Sequence, residues 1–240
     1  MAKSHYLEDL NINIARELVK GASVRNIFGT TGGIANIVTS EFRTPWEEAS
    51  NYSFPSSALT MSVVSSDAAD TGITLLIIGL DDNYEVIQET VTVNGTSVVT
   101  TSNQYFRIND AVILVGNTVG NITISNGGTT YSKILVGTGR DQKSVYTVPA
   151  GHCFFLNRID AFCTDANGGK AARFRNFIQS SNGRQLRVAD TTFFENMNIQ
   201  RKLPFKYDEK TDIEMQLRSL SGSVFGSIFA EGILVNEDEI

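Results

Sequence analysis

Residues 87–101, IQETVTVNGTSVVTT, show the clearest alternation of apolar and polar positions in the chain. Valine and threonine exchange places along this stretch, which is the period of two expected for a half-buried strand. Asn94-Gly95 lies in its middle, and this dipeptide best tolerates the positive φ angles of a two-residue hairpin turn. The pattern predicts a β-hairpin in which Val93 faces Thr96, with one solvent-exposed and one buried face.

Short apolar runs separated by turn residues continue from residue 56 to about residue 136. Strands spaced this evenly, without a convincing helix between them, are typical of an antiparallel sandwich or a small barrel. The predicted strands of this region are 59–65, 73–79, 85–93, 96–101, 105–108, 111–115, 121–125 and 131–136.

The rest of the chain repeats this pattern after a glycine-containing linker, Val136–Ser144. A second Asn-Gly pair, Asn182-Gly183, predicts another hairpin. The predicted fold class is therefore all-β, with two antiparallel β-sandwich domains of jelly-roll type at 56–138 and 139–240. An extended amino-terminal arm, 1–55, precedes them.

The arm carries large apolar side chains among Gly, Ser, Thr and Asn, without a sustained period. Its first part predicts a short amphipathic helix ending near Lys20-Gly21, although NINI also fits a strand. Since such a segment cannot build its own core, we expect it to lie on another surface, either its own domain or a neighbouring subunit. Deleting residues 1–50 is then expected to leave a folded protein that does not assemble. The residues assigned to the arm are Leu7, Leu10, Ile14, Leu18, Phe28, Phe42 and Trp46.

The composition indicates a globular protein: 41% of the 240 residues are hydrophobic and 19% are charged. A net charge of -6 and a pI near 5.0 argue against bulk affinity for nucleic acid or an anionic membrane. No signal peptide or membrane-spanning run of roughly 18 apolar residues is present in the sequence, so synthesis in a host cytoplasm is expected. The charge is uneven, because residues 140–206 hold eleven Lys or Arg against five acids. These are either ordinary solvated strand faces or a surface for an oppositely charged partner.

The sequence shows no constellation that predicts catalysis, a metal site or a cofactor. His152 and Cys153 are neighbours on a predicted strand, so their side chains point to opposite faces. The paired acids at 47–48, 81–82 and 208–209 lie in predicted turns or in the arm and do not converge as a glycosidase requires. Cys153 and Cys163 lack the spacing of a metal site and are expected to be buried thiols, with a disulfide as the alternative. The glycine patterns GNTVGN and VGTGR lack the strand-to-helix context of a phosphate loop.

Residues 64–109, VSSDAADTGITLLIIGLDDNYEVIQETVTVNGTSVVTTSNQYFRIN, carry a resemblance that continues at YTVPAGHCFFLNRI, EKTDIEMQLRS, KGASVRNIFG and FRTPWEEASNYSFP. Together these segments resemble a family of structural proteins encoded by tailed bacteriophages, frequent in aquatic and cyanobacterial phages. The resemblance implies a virion component with β-sandwich domains, assembled in many copies and without catalytic residues. Family members are described variously as capsid, head-fibre or tail proteins.

Three functional hypotheses follow. The first is a capsid decoration (cement) or head-neck protein that forms a homo-oligomer through its arm and binds the major capsid protein or other head, neck or tail proteins of the virion. A trimer is expected by analogy with decoration and fibre proteins. The second is a tail or head-fibre adsorption module that binds a host glycan, and the third is an enzyme acting on polysaccharide, for which no acid pair is visible. The residues proposed for glycan or partner contact are Tyr105, Phe106, Tyr131, Arg173 and Arg175.

Overall fold

A computed structural model of the chain describes residues 10–34, 36–179 and 185–239. This part contains one short helix, α1 Leu10–Ala15, and sixteen strands, and every strand pairing in it is antiparallel. The predicted all-β class is therefore confirmed. The first eight strands are β1 Ala22–Thr30, β2 Leu59–Ser65, β3 Thr71–Leu80, β4 Val86–Asn94, β5 Val99–Tyr105, β6 Arg107–Val115, β7 Ile122–Asn126 and β8 Thr129–Ile134. The others are β9 Val145–Thr147, β10 His152–Asp165, β11 Gly168–Gly169, β12 Ala171–Gln179, β13 Gln185–Phe194, β14 Asn196–Tyr207, β15 Asp212–Ser219 and β16 Phe225–Asn236.

The largest sheet folds into two four-stranded halves, with the orders β1-β16-β10-β14 and β13-β12-β15-β9. A single residue pair, Phe194 with Asn196, joins the halves, and Glu195 between them has φ 63°. Numbered along the chain, the eight strands run 1-8-3-6 in one half and 2-7-4-5 in the other, which is the jelly-roll order. We call this unit the large sandwich. Side chains from both halves form one core; its largest fully buried members are Phe154, Phe174 and Tyr207.

A second, smaller sandwich is inserted between the first and second strands of the jelly roll. Its two sheets have the orders β5-β2-β7-β8 and β4-β3-β6. The alternating positions of these strands form a separate core that includes Met61, Leu75, Ile77 and Ile124, all without exposed surface. We call this unit the small sandwich, and the segment 36–58 that leads to it the strap.

The residues around Asn94-Gly95 do not form the predicted hairpin. Asn94 pairs with Ser97 across a turn centred on Gly95, whose φ is 56°, so the predicted pairing of Val93 with Thr96 is wrong. Beyond this turn β4 pairs with β3 in one sheet, whereas β5 pairs with β2 in the other. Val91 and Val93 of β4 face the core of the small sandwich, and the opposite sheet has to cover that core. The chain therefore crosses to the opposite sheet at this turn. At the second Asn-Gly pair β12 and β13 do pair, but residues 182–183 lie outside the described residues.

The amino-terminal segment belongs to the fold of its own chain. Strand β1 pairs with β16 along its whole length, from Ala22 opposite Val235 to Thr30 opposite Ser227. Helix α1 ends at Ala15, short of the predicted end, because Glu17 has φ 58° and the chain turns towards β1. Whether the chain divides into functional domains at 56 and 139 remains a prediction. The pairing shows that the predicted arm contributes the first strand of the jelly roll.

Close packing fixes the point where β1, the strap and the chain leading into β9 pass one another. A Cβ atom on Gly29 would lie 2.3 Å from both the Pro45 carbonyl oxygen and the Ser144 amide nitrogen. The Ser144 amide donates to the same Pro45 carbonyl at 3.1 Å. Only glycine allows backbones to approach this closely, so β1 cannot be removed without opening the large sandwich.

Deleting residues 1–50 is therefore expected to abolish folding of the large sandwich, contrary to the expectation from sequence. The deletion removes an entire strand and the buried ring of Trp46, which is only 2% exposed. Circular dichroism and thermal unfolding of the purified variants would measure this loss. A chain lacking only residues 1–9 keeps every described element, and we expect it to unfold as cooperatively as the full chain. A cooperative transition in the 1–50 deletion would contradict the assignment.

Candidate assembly surface and the joint between the sandwiches

The residues assigned to the arm fall into two groups in the structure. Trp46 is buried in its own chain, where its indole donates to the Ser50 carbonyl at 2.6 Å and its ring meets Tyr52 edge-on at 5.2 Å. Ile14 is 5% exposed, and the two leave almost no surface for another subunit. For these two residues the structure therefore fits the alternative in which the segment lies on its own domain, and it leaves them no role in contact with a neighbouring subunit. The remaining described members, Leu10, Leu18, Phe28 and Phe42, are exposed or half-buried, and Leu7 lies outside the described residues.

Two of the three rings proposed for glycan contact are inside the small sandwich. Tyr105 has no exposed surface and Tyr131 is 8% exposed, because their positions in β5 and β8 point into the core. The expectation that these rings can stack on a sugar is therefore wrong. Phe106 is half-buried and packs edge-on against Tyr84 at 5.3 Å.

Arg173 and Arg175 lie on the outer face of the large sandwich, on β12. Arg173 makes a two-pronged ion pair with Asp190, with N–O distances of 2.6 and 2.8 Å. The Arg175 guanidinium lies 4.3 Å from the centre of the Phe42 ring and hydrogen-bonds Gln216. The structure thus brings these two predicted residues together, and it adds Phe42 from the strap to them.

The outer face of the other half, β1-β16-β10, carries a cluster of exposed and half-buried phenylalanine rings. Phe28 is opposite Phe229 in the strand register, and Phe162 lies one row further along β10. Phe28 and Phe162 expose 40% and 42% of their surface, although each lies within a paired part of its strand. A shallow hollow of about 260 Å³ lies between these rings, with Asp160 and Asn198 at its rim. We call this the phenylalanine face. A polar row, Asn26, Glu231 and Arg158, separates it from a second apolar row, Val24, Ile233 and Phe155.

The phenylalanine face was not found from sequence, apart from Phe28. Its signal is that some outward positions of β10 and β16, in FFLNRIDAF and FGSIFAEGILV, carry large apolar residues, Phe162 and Phe229 among them, where a solvent-exposed face would carry polar ones. A phenylalanine that is 40% exposed presents roughly 80 Å². Covering it would be worth about 2 kcal/mol. The face therefore offers a substantial free energy to whatever covers it.

A buried ion pair joins the two sandwiches. Arg107 begins β6 of the small sandwich and Asp212 begins β15 of the large one; they form parallel N–O contacts of 2.8 Å and are 6% and 5% exposed. Arg107 also donates to the carbonyls of Pro55, in the strap, and Phe106. The Thr147 hydroxyl of β9 donates to Asp212 at 2.6 Å. These bonds satisfy the buried charges and fix four chain segments at one point.

Aromatic rings complete the surroundings of the Arg107 guanidinium. Its carbon lies 3.9 Å from the centre of the Phe106 ring and 4.9 Å from that of Phe54. Next to the pair, Asn109 and Thr147 exchange two hydrogen bonds at 2.9 and 3.0 Å, between β6 and β9. Aromatic faces stabilise a desolvated guanidinium, so the joint is a firm contact and not a hinge.

A second buried polar cluster lies where the strap meets the chain that leads into β9. Asp141 pairs with Lys143 and accepts bonds from the Ser132 hydroxyl and the Ala111 amide. Glu47 of the strap is 1% exposed beside them. Burial and the nearby Asp141 charge raise the pKa of Glu47 to about 8, although the amides of Gln142 and Leu135 and the Lys143 ammonium oppose this. Glu47 is therefore mostly protonated at neutral pH.

The groups that sequence patterns single out for chemistry have structural partners. Asp81 caps its turn by accepting from the amides of Asn83 and Glu85, and Glu209 accepts from the Gly151 amide. The buried Asp70 accepts from the Ser65 hydroxyl and the amides of Val119 and Gly120, which holds three loops of the small sandwich together.

The two cysteines and His152, which are the other candidates for reactivity, also have ordinary structural surroundings. Cys153 and Cys163 are free and buried, and burial raises the pKa of both thiols. His152 lies with its Nδ1 2.7 Å from the Ala150 carbonyl. Within residues 10–34, 36–179 and 185–239, no three His, Cys, Asp or Glu side chains are grouped so as to hold a metal ion. Over the same ranges, no helix has the length and apolar character needed to span a membrane.

Comparison with known proteins assigns the chain to no family. No protein-family model matches the sequence, and no curated protein matches it. Among solved structures, a mutant VP2 protein of infectious bursal disease virus in derived T=1 particles is 11% identical, with a TM-score of 0.22 over 91% of this chain and 71% of that chain. The VP2 subviral particle of the same virus is 12% identical, with a TM-score of 0.21 over 91% and 73% of the two chains.

A third similar structure comes from another class of protein. It is a tryptic core variant of Bacillus thuringiensis Cry1Da, 9% identical, with a TM-score of 0.16 over 83% of this chain and 52% of that chain. TM-scores this low do not establish a common fold.

Replacing Asp212 by alanine is expected to lower the free energy of unfolding by about 3–5 kcal/mol, because it leaves the Arg107 charge buried without its partner. Urea unfolding followed by tryptophan fluorescence would measure the change. The matched control is Arg140→Ala, which removes the half-exposed pair of Arg140 with Asp110. We expect this control to cost no more than about 1 kcal/mol. Equal losses in the two variants would contradict the role assigned to the buried pair.

Replacing Glu47 by glutamine is expected to make stability less dependent on pH. The unfolded carboxyl ionises near its ordinary value of 4.5 and the folded one near 8, so wild-type stability falls as pH rises between these values. The fall amounts to about 1.4 kcal/mol per pH unit, and Glu47→Gln should lack it. Urea unfolding of both proteins between pH 5 and pH 9 would show the difference. Glu41→Gln, at an exposed pair with Arg43, is the control and should keep the wild-type slope.

Proposed function

We propose that this protein is a structural component of a virion that acts by assembling with other copies of itself and with other virion proteins. The observation that carries the proposal is the phenylalanine face of the large sandwich. Its rings lie on the outside of a sheet whose inside is already filled by a complete core. Exposed apolar patches of this kind usually mark interaction surfaces.

The construction of the molecule supports a structural role. A jelly roll closed by its first and last strands, with a small sandwich fixed to it by a buried ion pair, has few parts that can move. The polar groups that chemistry would need are used in turns and joints. The described part of the chain therefore presents surfaces suited to contact with other proteins.

The sequence resemblance to tailed-phage structural proteins narrows the proposal. On that basis we infer a capsid decoration or head-neck protein, located in the virion and bound to the major capsid protein or its neighbours. The homo-oligomer is inferred to be a trimer, since closed symmetry would cover the phenylalanine face on every copy. The glycan-binding alternative is weaker, because Tyr105 and Tyr131 are buried.

Replacing Phe28 and Phe162 by serine should weaken self-association without unfolding the protein, because both rings are on the outer face. At about 2 kcal/mol for each ring, each replacement should weaken association roughly 30-fold. Size-exclusion chromatography with light scattering would give the mass of wild type and variant over a range of concentrations. The control is Leu203→Ser, which removes an 82% exposed side chain from outside the face.

A wild-type protein that stays monomeric at high concentration, or a double variant that associates normally, would contradict assembly through this face. Imaging of virions that carry a label at the carboxyl terminus would then locate the protein independently. We expect the label at regular positions on the head or neck, and its absence from particles would contradict the virion role.

A further inference from the structure

The half of the large sandwich opposite the phenylalanine face carries a cluster of arginines. Arg173 and Arg218 are direct neighbours on β12 and β15, opposite each other in the strand register. Like charges in this position repel each other and destabilise a sheet. The guanidinium carbons of Arg175 and Arg218 lie 4.3 and 5.2 Å from the centre of the Phe42 ring. We call Arg173, Arg175, Arg218 and Phe42 the arginine face.

The nearby acids neutralise this face only in part. Asp190 is held by Arg173, and Glu41 by Arg43. Glu214 hydrogen-bonds Thr44 and Gln216, and burial raises its pKa, which favours its neutral form. Among the described residues, Arg218 makes no ion pair, and its buried Nε has no hydrogen-bond partner. Arg218 therefore adds a positive charge that no described acid neutralises and that an anionic group could neutralise.

The same chain carries a complementary acidic surface on the small sandwich. Residues 56–138 hold seven acids and two basic residues, against eleven basic residues and five acids in 140–206. The turn between β3 and β4 presents the exposed side chains of Asp82 and Glu85, which make no ion pair among the described residues. Asp81 stabilises this turn by accepting from the amides of Asn83 and Glu85. The two carboxylates are thus displayed on a well-ordered turn.

We propose that the arginine face of one copy binds the acidic β3–β4 turn of a second copy. The inference rests on the proposed assembly function, in which a second copy is the partner always present. Charge complementarity selects the occupant. The turn offers the exposed carboxylates of Asp82 and Glu85, and Arg218 offers a planar guanidinium suited to carboxylate oxygens, beside Arg175 on the same Phe42 ring. The two surfaces differ, so the contact is head-to-tail and can close into a ring.

The test uses charge exchange between two variants of the full chain. Arg175→Glu/Arg218→Glu makes the arginine face acidic, and Asp82→Lys/Glu85→Lys makes the turn basic. Each variant alone should associate at least about tenfold more weakly than wild type in low salt, because like charges now meet. An equimolar mixture should recover association, because the acidic face of one variant meets the basic turn of the other. Sedimentation velocity at low and high salt would measure all three samples.

Controls separate this contact from general charge effects and from misfolding. Arg201→Glu/Lys202→Glu makes the same change in net charge at two exposed positions outside the face and should leave association unchanged. Circular dichroism checks that each variant is folded. If Arg175→Glu/Arg218→Glu unfolds, the single variants Arg218→Glu and Asp82→Lys are mixed instead, so that each partner carries one exchanged charge. A mixture that fails to recover, or a control that weakens association equally, would overturn the proposal. If both charge variants associate normally but the Phe28/Phe162 variant does not, this contact is rejected and the proposed function is kept. If the wild type is monomeric, both are rejected.

Discussion

The closure of the jelly roll by its first strand is the constraint on which the rest of this structure depends. Strand β1 must pair with β16 near the other end of the chain, while the next strand of the jelly roll, β9, begins only at Val145. Everything between them has to leave the large sandwich and return to it at nearly the same place. The close passage at Gly29, where Pro45 and Ser144 meet, shows how tightly departure and return are packed. The small sandwich can therefore be inserted into the jelly roll without interrupting it, because the chain leaves and returns at one closely packed point.

This constraint explains why the buried charges lie where they do. Backbone groups at a junction of three segments cannot all join a sheet ladder, so side chains have to satisfy them. Arg107 does this for the Pro55 carbonyl of the strap, and Asp141 does it for the Ala111 amide of β6, near the return of the chain. A hydrophobic joint could have been as stable. It would not have offered the directional bonds that hold two sandwiches in one orientation.

Local patterns predicted local structure well and long-range structure poorly. Strand β2 was predicted at 59–65 and found at Leu59–Ser65, because its alternation depends only on which face is buried. The hairpin at Asn94-Gly95 failed because alternation does not tell which strand pairs with the next one, and a tight turn serves a crossover between sheets equally well. The role of Arg107 could not be recognised from sequence, since its partner Asp212 is 105 positions away. Tyr105 and Tyr131 were misplaced for a related reason, because the faces of β5 and β8 are fixed by the opposite sheet.

The two outer faces of the large sandwich point in opposite directions and differ in chemistry. One is apolar, around Phe28 and Phe162, and the other is basic, around Arg175 and Arg218. Apolar contact supplies most of the free energy of association, whereas charge mainly selects the partner and its orientation. A protein that formed only two-fold dimers would need one self-complementary surface. This protein has two unlike faces on opposite sides of one core, and an acidic second sandwich joined to it. Such an arrangement suits a subunit that contacts neighbours on more than one side.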